Sequence, residues 1–251
     1  MLREDGFALL EEVEGKADLL LTDPPYGTTK LAWDREPDWK AFFALARRAL
    51  KPGGNLVFFA SGKAVFRAAK ALEELSWAFY ELVWPKRTPT GFYDAGRRPL
   101  RAHEWILVAP RTWGASTYNP QKWRAEELRG RVRRQVAGGK HWDRTDPVPY
   151  EDDGTRHPLS VLPAFGLTPE ESLGHPTQKP LALARYLVLT YSNPGDLVVD
   201  PFAGSGTFGA AALALGRRFL GAEKDPEWRQ KAARRLEAVQ PELFPAAGGA
   251  E

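Results

Sequence analysis

Cysteine is absent from this 251-residue sequence, and its only four histidines are spread along the chain. Without cysteine there is no disulfide framework, and mechanisms that need a cysteine nucleophile are excluded. His103 and Glu104 resemble half of a metal-binding motif, but no second histidine follows them at helical spacing. We therefore expect no metal site.

Long apolar runs are also absent. No run approaches the roughly 20 residues that a membrane-spanning helix needs, so we expect no membrane association. The N-terminal stretch MLREDGFALLEEVEGK is too acidic, and its apolar part too short, for a signal peptide. These two absences predict a cytoplasmic protein.

The chain does have enough apolar sequence for a large core. Hydrophobic residues make up 43% of it, which suits one α/β domain with insertions or two small domains. The formal net charge is only +3, which does not by itself imply a nucleic-acid partner.

Positive charge is concentrated between residues 111 and 144. This stretch has only three acids, aromatic residues are interleaved in it, and its basic residues are Arg111, Lys122, Arg124, Arg129, Arg131, Arg133, Arg134, Lys140 and Arg144. Basic residues mixed with flat rings suit a phosphate backbone and unstacked bases. A solvated surface loop with some aromatic packing is the alternative interpretation.

Strand and helix patterns alternate on both sides of a long stretch without periodicity, 111–172. Strands are predicted at 17–23, 55–60, 77–86, 103–110, 196–200 and 217–223, and helices at 38–54, 62–76, 179–192, 207–216 and 226–240. The alternation predicts an α/β fold, a mostly parallel twisted sheet with helices on both faces. A long loop such as 111–172 in a compact domain is usually functional.

The stretch VVDPFAGSGTFG places Gly204, Gly206 and Gly209 in the spacing G-x-G-x-x-G, after a strand and at the start of a helix. Glu223 ends the next strand, at the offset where an acid binds the two hydroxyls of a ribose. The pattern fits a dinucleotide site, and a tight strand-to-helix turn without a ligand is the alternative.

Asp200 argues against a dinucleotide because it would face the pyrophosphate with the wrong charge. The short sequence after Glu223 also leaves no room for a second nucleotide-binding half. S-adenosylmethionine suits the pattern better. It has a ribose for Glu223, an amino group for Asp200 or its neighbourhood, and no phosphate.

A second motif, LLLTDPPYG, carries Asp23, Pro24, Pro25 and Tyr26 directly after a buried strand. A carboxylate at the mouth of a sheet is costly unless something uses it. The two prolines remove backbone donors and stiffen the chain, so they fix the acid and the aromatic ring in place.

Together, DPPYG at 23–27, HPTQKP at 175–180 and DPFAGSGT at 200–207 resemble the amino-group DNA methyltransferases. The order, with the catalytic motif first and the cofactor motif last, resembles their circularly permuted beta class. The resemblance implies the S-adenosylmethionine-dependent methyltransferase fold, S-adenosylmethionine as cofactor and double-stranded DNA as partner. It also implies a prokaryotic or phage-encoded enzyme.

The resemblance assigns roles to residues of this sequence. The catalytic residues are Asp23, Pro24, Pro25 and Tyr26. The cofactor-binding residues are His175, Thr177, Lys179, Asp200, Phe202, Ala203, Gly204, Gly206, Thr207 and Glu223, with Lys179 the candidate partner of the cofactor carboxylate. Candidate DNA-binding residues, any of which could instead be merely solvated, are Lys86, Arg87, Arg131, Arg133 and Arg134.

The chemistry explains the rigid acid and ring. An exocyclic amine of a base is a poor nucleophile because its lone pair is delocalised into the base. Asp23 can accept one N–H, a backbone carbonyl of the proline region can accept the other, and Tyr26 offers a face for a base taken out of the duplex. Transfer is then a direct displacement, whereas methylation of the cytosine ring carbon would need a cysteine.

We expect a single permuted domain over 1–251, with a catalytic half at about 1–110 and a cofactor half at about 173–240. A target-recognition insert is expected within about 87–172. Adenine N6 is favoured, because Asp at the start of D-P-P-Y is typical of the adenine enzymes, and cytosine N4 is the alternative. A homodimer and a cognate restriction endonuclease are possible partners.

Two alternatives belong to other functional classes, and a third concerns the substrate of the methyl transfer. One is a nicotinamide-dinucleotide oxidoreductase that uses the same glycines, and another is a DNA-binding module that has lost catalysis. RNA or protein substrates are the third.

Overall fold

The computed structural model describes residues 2–27, 34–124 and 154–240. Its strands are β1 (Leu2–Arg3), β2 (Ala17–Thr22), β3 (Leu50–Ala60), β4 (Tyr80–Thr90), β5 (Arg101–Pro110), β6 (Trp123–Arg124), β7 (Thr155–Arg156), β8 (Leu197–Asp200) and β9 (Arg218–Ala222). Its helices are α1 (Gly6–Glu12), α2 (Trp39–Ala49), α3 (Lys63–Glu74), α4 (Leu181–Tyr191), α5 (Thr207–Ala214) and α6 (Pro226–Glu237).

Seven strands form one sheet in the order β1-β9-β8-β2-β3-β5-β4, and β6 and β7 form a separate two-stranded sheet. All neighbours from β1 to β3 run parallel, whereas β5 is antiparallel to both β3 and β4. A short link joins β4 to β5, and a short link can only reverse the chain, while parallel strands need longer crossovers. The predicted mostly parallel α/β sheet is confirmed.

Helices bury the sheet on both faces. Along β3, Leu56 and Phe58 belong to one core cluster, whereas Val57 and Phe59 belong to the other. The first cluster is completed by α1, α2 and α3, and the second by α4 and α5. Because each face of a central strand carries large apolar side chains, these strands read as continuous apolar runs in the sequence.

Two boundaries differ from the sequence prediction. The sequence predicts that the helix in 38–54 is stopped by Pro52, Gly53 and Gly54, but α2 ends at Ala49 and β3 already begins at Leu50. The pairing with β2 shifts its register between Ala17 and Leu19, which takes up the extra residues of β3. A Cβ at Gly54 would lie 3.0 Å from the carbonyl oxygen of Asp18, so a glycine permits this close approach.

Two elements before residue 17, β1 and α1, were not singled out from the sequence. Strand β1 adds an edge to the sheet beside β9, and Asp5 caps α1 by accepting hydrogen bonds from the backbone N–H groups of Phe7 and Ala8. Both elements are too short for a periodic pattern to reveal them.

The described parts of the stretch 111–172 pack against the sheet. The backbone N–H of Val83 donates to Ser160 O at 2.8 Å, and Leu162 N–H donates back to Val83 O at 2.8 Å. Asn119 N–H donates to Thr190 O at 2.7 Å, next to the C-terminal end of α4. These backbone bonds attach the described parts of the stretch to β4 and α4.

Candidate active site

Two parallel neighbours, β2 and β8, end side by side at the same edge of the sheet. The DPPY loop, residues 23–26, leaves β2, and the glycine turn, residues 201–206, leaves β8. A cavity of about 700 Å³ opens at this edge. The crevice outside the carboxyl ends of the strands is the usual ligand position in open α/β sheets.

The structure brings together the three sequence motifs around this cavity. The predicted residues that line it are Asp23, Pro25, His175, Thr177, Lys179, Phe202, Ala203, Gly204, Thr207 and Glu223. The predicted residues Pro24, Tyr26, Asp200 and Gly206 do not line it. Lining residues that sequence reasoning missed include Asp5, Phe7, Arg35 and Trp228.

The DPPY loop is held by a carboxylate that sequence reasoning did not single out. Asp34 Oδ1 accepts hydrogen bonds from the backbone N–H groups of Tyr26 at 2.9 Å and Gly27 at 2.8 Å. Asp34 is buried, with 7% of its surface exposed. Gly27 has φ of +65°, a left-handed conformation that glycine adopts without cost. The loop is therefore fixed at its far end by two backbone bonds.

Asp23 is bonded on both carboxylate oxygens. The hydroxyl of Tyr26 donates to Asp23 Oδ1, and the ammonium of Lys179 donates to Asp23 Oδ2. Burial raises the pKa of Asp23, and Lys179 opposes that shift. Burial and the charge of Asp23 raise the pKa of Tyr26 well above its ordinary value, so Tyr26 is a neutral donor.

Lys179 does not stand free in the cavity wall. Besides Asp23, it lies 3.4 Å from Glu104 Oε2, and its ammonium sits 4.9 Å from the centre of the Phe59 ring. Burial alone would lower the pKa of Lys179, but the two carboxylates raise it. The structure thus gives two protein carboxylates to the residue that the sequence assigned to the cofactor carboxylate.

The predicted DNA contacts Lys86 and Arg87 have partners inside the protein. Lys86 Nζ donates to Glu104 Oε1 at 2.5 Å, and Arg87 Nε donates to the carbonyl oxygen of Ala164 at 2.9 Å. The predicted contacts at positions 131, 133 and 134 are outside the described residues.

The glycine turn closes over Glu223. The backbone N–H of Gly204 donates to Glu223 Oε2 at 2.8 Å, and that of Asp225 donates to Oε1 at 2.8 Å. Gly204 has φ of +51° and Gly206 has φ of +74°. Gly209 plays a packing role, because a Cβ there would lie 2.5 Å from the Phe219 ring.

Asp200 supports the turn from behind the cavity wall. Its Oδ1 accepts hydrogen bonds from Thr22 Oγ1 at 2.6 Å and from the backbone N–H of Phe202 at 3.0 Å. Its Oδ2 has no hydrogen-bond partner among the described residues, and burial raises its pKa to about 7. The sequence predicts contact between Asp200 or its neighbourhood and the cofactor amino group. In the structure the Asp200 side chain is buried, and its neighbours Pro201 and Phe202 line the cavity.

His175 packs against the aromatic side of the cavity. Its ring meets the Trp228 ring edge-on, with 4.5 Å between centroids, and lies against Gly204. Burial and the nearby Lys179 lower the pKa of His175 to about 4, so its ring is neutral at pH 7. Phe202 belongs to an aromatic group with Phe7 and Phe42 on the first core face.

Two predicted absences concern the described residues 2–27, 34–124 and 154–240. Within these ranges the His, Asp and Glu residues form no group of three or more suited to a metal ion. None of the helices in these ranges is both long and apolar enough to cross a membrane.

Comparisons with known proteins cover most of the chain. Residues 17–234 match the model of a family described as DNA methylase. The chain is 29% identical to the DNA adenine methyltransferase YhdJ of Escherichia coli (strain K12), over 95% of this chain and 83% of that protein. It is 24% identical to the type II methyltransferase M2.MboI of Moraxella bovis, over 92% of this chain and 84% of that protein.

A solved structure has a similar fold. The crystal structure of the M1.HpyAVI–SAM complex superposes with a TM-score of 0.62 and 27% sequence identity. The superposition covers 92% of this chain and 96% of that chain.

Proposed function

This chain belongs to the DNA methylase family, and we propose that it transfers a methyl group from S-adenosylmethionine to the N6 amino group of adenine in double-stranded DNA. The observation that carries the proposal is that Asp23 and Glu223 both line the same cavity. An acceptor for an amine and an acid for a ribose therefore share one cavity.

The cavity suits the cofactor in size and in charge. Its volume of about 700 Å³ lies in the range of small-molecule sites. Five acids and three basic residues line it, and this excess of negative charge favours a cation over a pyrophosphate. When bound, S-adenosylmethionine supplies an electrophilic methyl group on a positively charged sulfur.

The chain's own residues bind and orient this group. Glu223 would accept hydrogen bonds from the ribose hydroxyls, since a carboxylate oxygen can accept more than the one backbone bond that each already has. Phe202 and Trp228 provide apolar walls. Because Lys179 already contacts two carboxylates, Thr177 and Arg35 are further candidates for the cofactor carboxylate.

Asp23 is the proposed acceptor for one N–H of the target amine. Accepting that bond pushes electron density onto the nitrogen and aims its lone pair at the methyl group. Asp34 and the two prolines hold the loop, so the carboxylate needs no rearrangement of the backbone. Tyr26, partly exposed beside Asp23, is the proposed stacking surface for a flipped base.

The domain organisation and the partners belong to the same proposal. We propose one permuted domain, with a catalytic half at about 1–110, a cofactor half at about 173–240 and a target-recognition insert within about 87–172. The arginines at 131, 133 and 134 remain proposed phosphate contacts, and a homodimer and a cognate restriction endonuclease remain proposed partners. The similarity to bacterial enzymes supports a bacterial cytoplasmic location, where the DNA substrate lies.

Adenine is the proposed target on two grounds. The relative YhdJ is named a DNA adenine methyltransferase, and Asp at position 23 opens the D-P-P-Y motif in this chain. The N4 amino group of cytosine would use the same acceptor. The choice between adenine and cytosine as target therefore depends on which base enters the site.

Mass spectrometry of nucleosides tests the proposal. Mixed-sequence duplex DNA is incubated with S-adenosylmethionine and either the wild-type protein or Asp23→Ala. We expect N6-methyladenine with the wild type and none with the variant. Methyl groups only on the cytosine amine would overturn the adenine assignment. Cofactor binding without any methylated nucleoside would overturn the DNA methyltransferase proposal.

A further inference from the structure

A row of four alternating charges lies behind the DPPY loop, built from four separate segments of the chain. Lys86 on β4 bonds Glu104 on β5 at 2.5 Å, Glu104 lies 3.4 Å from Lys179, and Lys179 bonds Asp23. The exposed fractions of these side chains are 19%, 9%, 6% and 15%, in the same order. Two cations thus neutralise two carboxylates at a largely buried position.

One atom of this row has an ion-pair contact in place of a close hydrogen bond. Glu104 Oε2 is buried and accepts no hydrogen bond among the described residues, although the Lys179 ammonium is 3.4 Å away. Buried polar atoms are nearly always hydrogen-bonded, so such an atom needs an explanation. Its position provides one, because it is a second acceptor within reach of an ammonium that now bonds Asp23.

We infer that Glu104 is a positioning residue that takes over the Lys179 hydrogen bond when the target amine bonds Asp23. The inference rests on the proposed function. Asp23 Oδ2 would exchange an N–H donor of Lys179 for an N–H donor of the base, and Lys179 would turn that N–H to Glu104 Oε2. No proton moves and no covalent bond changes, and Lys86 holds Glu104 in place from its other oxygen.

The exchange lowers the energy needed to bind the base amine at Asp23. An ammonium buried to this degree is strongly destabilised if its partner leaves and nothing replaces it, because an unpaired buried charge is costly. Asp23 Oδ2 can accept a second hydrogen bond, but without Glu104 the ammonium would keep its full attraction for that oxygen and would compete with the base amine for its lone pairs. With Glu104, both the ammonium and the amine have an acceptor throughout.

The direction of the pH effects follows from the charged groups around the row. Lys179 faces Asp23, Glu104 and His175, and Asp23 also faces Tyr26 and, more distantly, Asp200. The charge of Glu104 raises the pKa of Lys179 and that of Asp23. Removing that charge therefore lowers both pKa values.

The test is the single-turnover rate of methyl transfer against pH, at saturating DNA and cofactor, for Glu104→Gln. We expect the plateau rate to fall about 10- to 100-fold, the usual worth of a hydrogen bond to a charged group. Both limbs of the pH profile should move to lower pH, while the Kd for S-adenosylmethionine stays within about twofold. The matched control is Glu81→Gln, an exposed carboxylate on the neighbouring strand, which should behave as wild type.

A rate loss that tracks a loss of thermal stability, with an unmoved pH profile, would make Glu104 merely structural and overturn the inference, as would an unchanged rate. If Glu104→Gln does not fold, Lys86→Met serves instead. Lys86 lowers the pKa of Glu104, and Glu104 must be ionised to take over the Lys179 hydrogen bond. Removing Lys86 should therefore move the acid limb of the rate profile to higher pH, and an unmoved acid limb would overturn the inference. A wild-type protein that methylates no DNA would instead contradict the proposed function.

An independent observation concerns the tip of the β4–β5 ribbon, residues 91–98. Two large aromatic side chains stand in solvent there, Phe92 with 64% and Tyr93 with 97% of its surface exposed. Arg97 is exposed beside them, and Asp94, the one acid of the tip, is bonded to Arg98 at 2.7 Å. Exposed rings beside free positive charge match the chemistry of a nucleic acid.

The sheet puts this tip on the catalytic edge. Strand β4 runs in the same direction as β2, because it is antiparallel to β5 and β5 is antiparallel to β3. Lys86 on β4 already reaches the charge row behind Asp23, and β4 continues to Thr90. The ribbon therefore projects past the sheet on the side of Asp23.

We propose that this tip contacts the duplex next to the target base, with Tyr93 or Phe92 stacking on a base and Arg97 against a phosphate. Binding of a fluorescent mixed-sequence duplex at several salt concentrations tests it. The double substitution Phe92→Ala, Tyr93→Ala should weaken binding about 5- to 100-fold, and Arg97→Ala should reduce the slope of log K against log salt by about 0.9.

The matched control is Phe66→Ala, since Phe66 is an aromatic residue with 75% of its surface exposed that lies on α3, outside both the tip and the proposed target-recognition insert. It should leave affinity and slope unchanged. Unchanged binding in the tip variants, or an equal loss in the control, would overturn the tip proposal. A wild-type protein that binds no DNA would contradict the proposed function instead.

Discussion

Glu223 accepts a hydrogen bond from the backbone N–H of Gly204 at 2.8 Å, across 19 positions of sequence. The bond joins the ends of two neighbouring strands, β8 and β9, and it ties the glycine turn to the acid that the sequence assigned to the ribose. The same carboxylate is therefore both a brace of the turn and a proposed ligand-binding group.

Substitution of Glu223 should weaken cofactor binding. We expect Glu223→Ala to weaken the binding free energy of S-adenosylmethionine by about 1.5–3 kcal/mol, the usual contribution of hydrogen bonds to a charged group. Glu223→Gln keeps an acceptor oxygen and should lose less. Calorimetry measures both, and equal affinity in the alanine variant would remove Glu223 from the site.

Substitution of Asp23 should separate chemistry from binding. We expect Asp23→Ala to lower the methyl-transfer rate at least about 10²–10³-fold, as for loss of one preorganised group in a transition state. The Kd for the cofactor should change by no more than about threefold. Single-turnover kinetics measures the rate and calorimetry measures the Kd. Near-normal turnover would show that another group accepts the hydrogen bond of the amine.

Substitution of Asp34 should loosen the DPPY loop without touching the cofactor. Asp34→Ala leaves two backbone N–H groups unpaired, at Tyr26 and Gly27, so we expect a rate loss of about 10- to 100-fold from an ill-placed Asp23. Asp34→Asn keeps the Oδ1 acceptor and should retain most of the rate. The idea fails if both variants turn over alike.

Asp200 should make the protein less stable as pH rises. Its pKa is raised to about 7 in the folded state by burial, above the unfolded value, so the folded state prefers the neutral form. Its contribution to the free energy of unfolding is fully present below about pH 4 and decreases as the pH rises to about 7. The loss is about 1.4 kcal/mol per pH unit and at most about 4 kcal/mol in total.

Asp200→Asn should therefore gain in melting temperature, relative to wild type, as pH is raised from 5 to 8. Thermal melts of both proteins across this range measure the difference. Glu81→Gln, an exposed site, provides the control for a general charge effect. A difference that does not change with pH would mean that the Asp200 carboxylate keeps an ordinary pKa.

Much of the fold and of the site could be predicted from local sequence. The apolar runs of β2 and β8, the glycines at 204 and 206, and the prolines after Asp23 each predict a local backbone conformation. Parallel strands then bring their carboxyl ends together, which is enough to place Asp23 and Glu223 at one cavity.

Only the tertiary structure decided which charges pair. Lys179 is 156 positions from Asp23 in the sequence, and Glu104 stood in the sequence as the start of a core strand. Periodicity and turn chemistry depend on neighbouring residues, so the sequence by itself determined strands, helices and the glycine turn. The partner of a buried charge depends on which distant side chains converge away from water, so the row from Lys86 to Asp23 and the anchoring by Asp34 were decided by the fold.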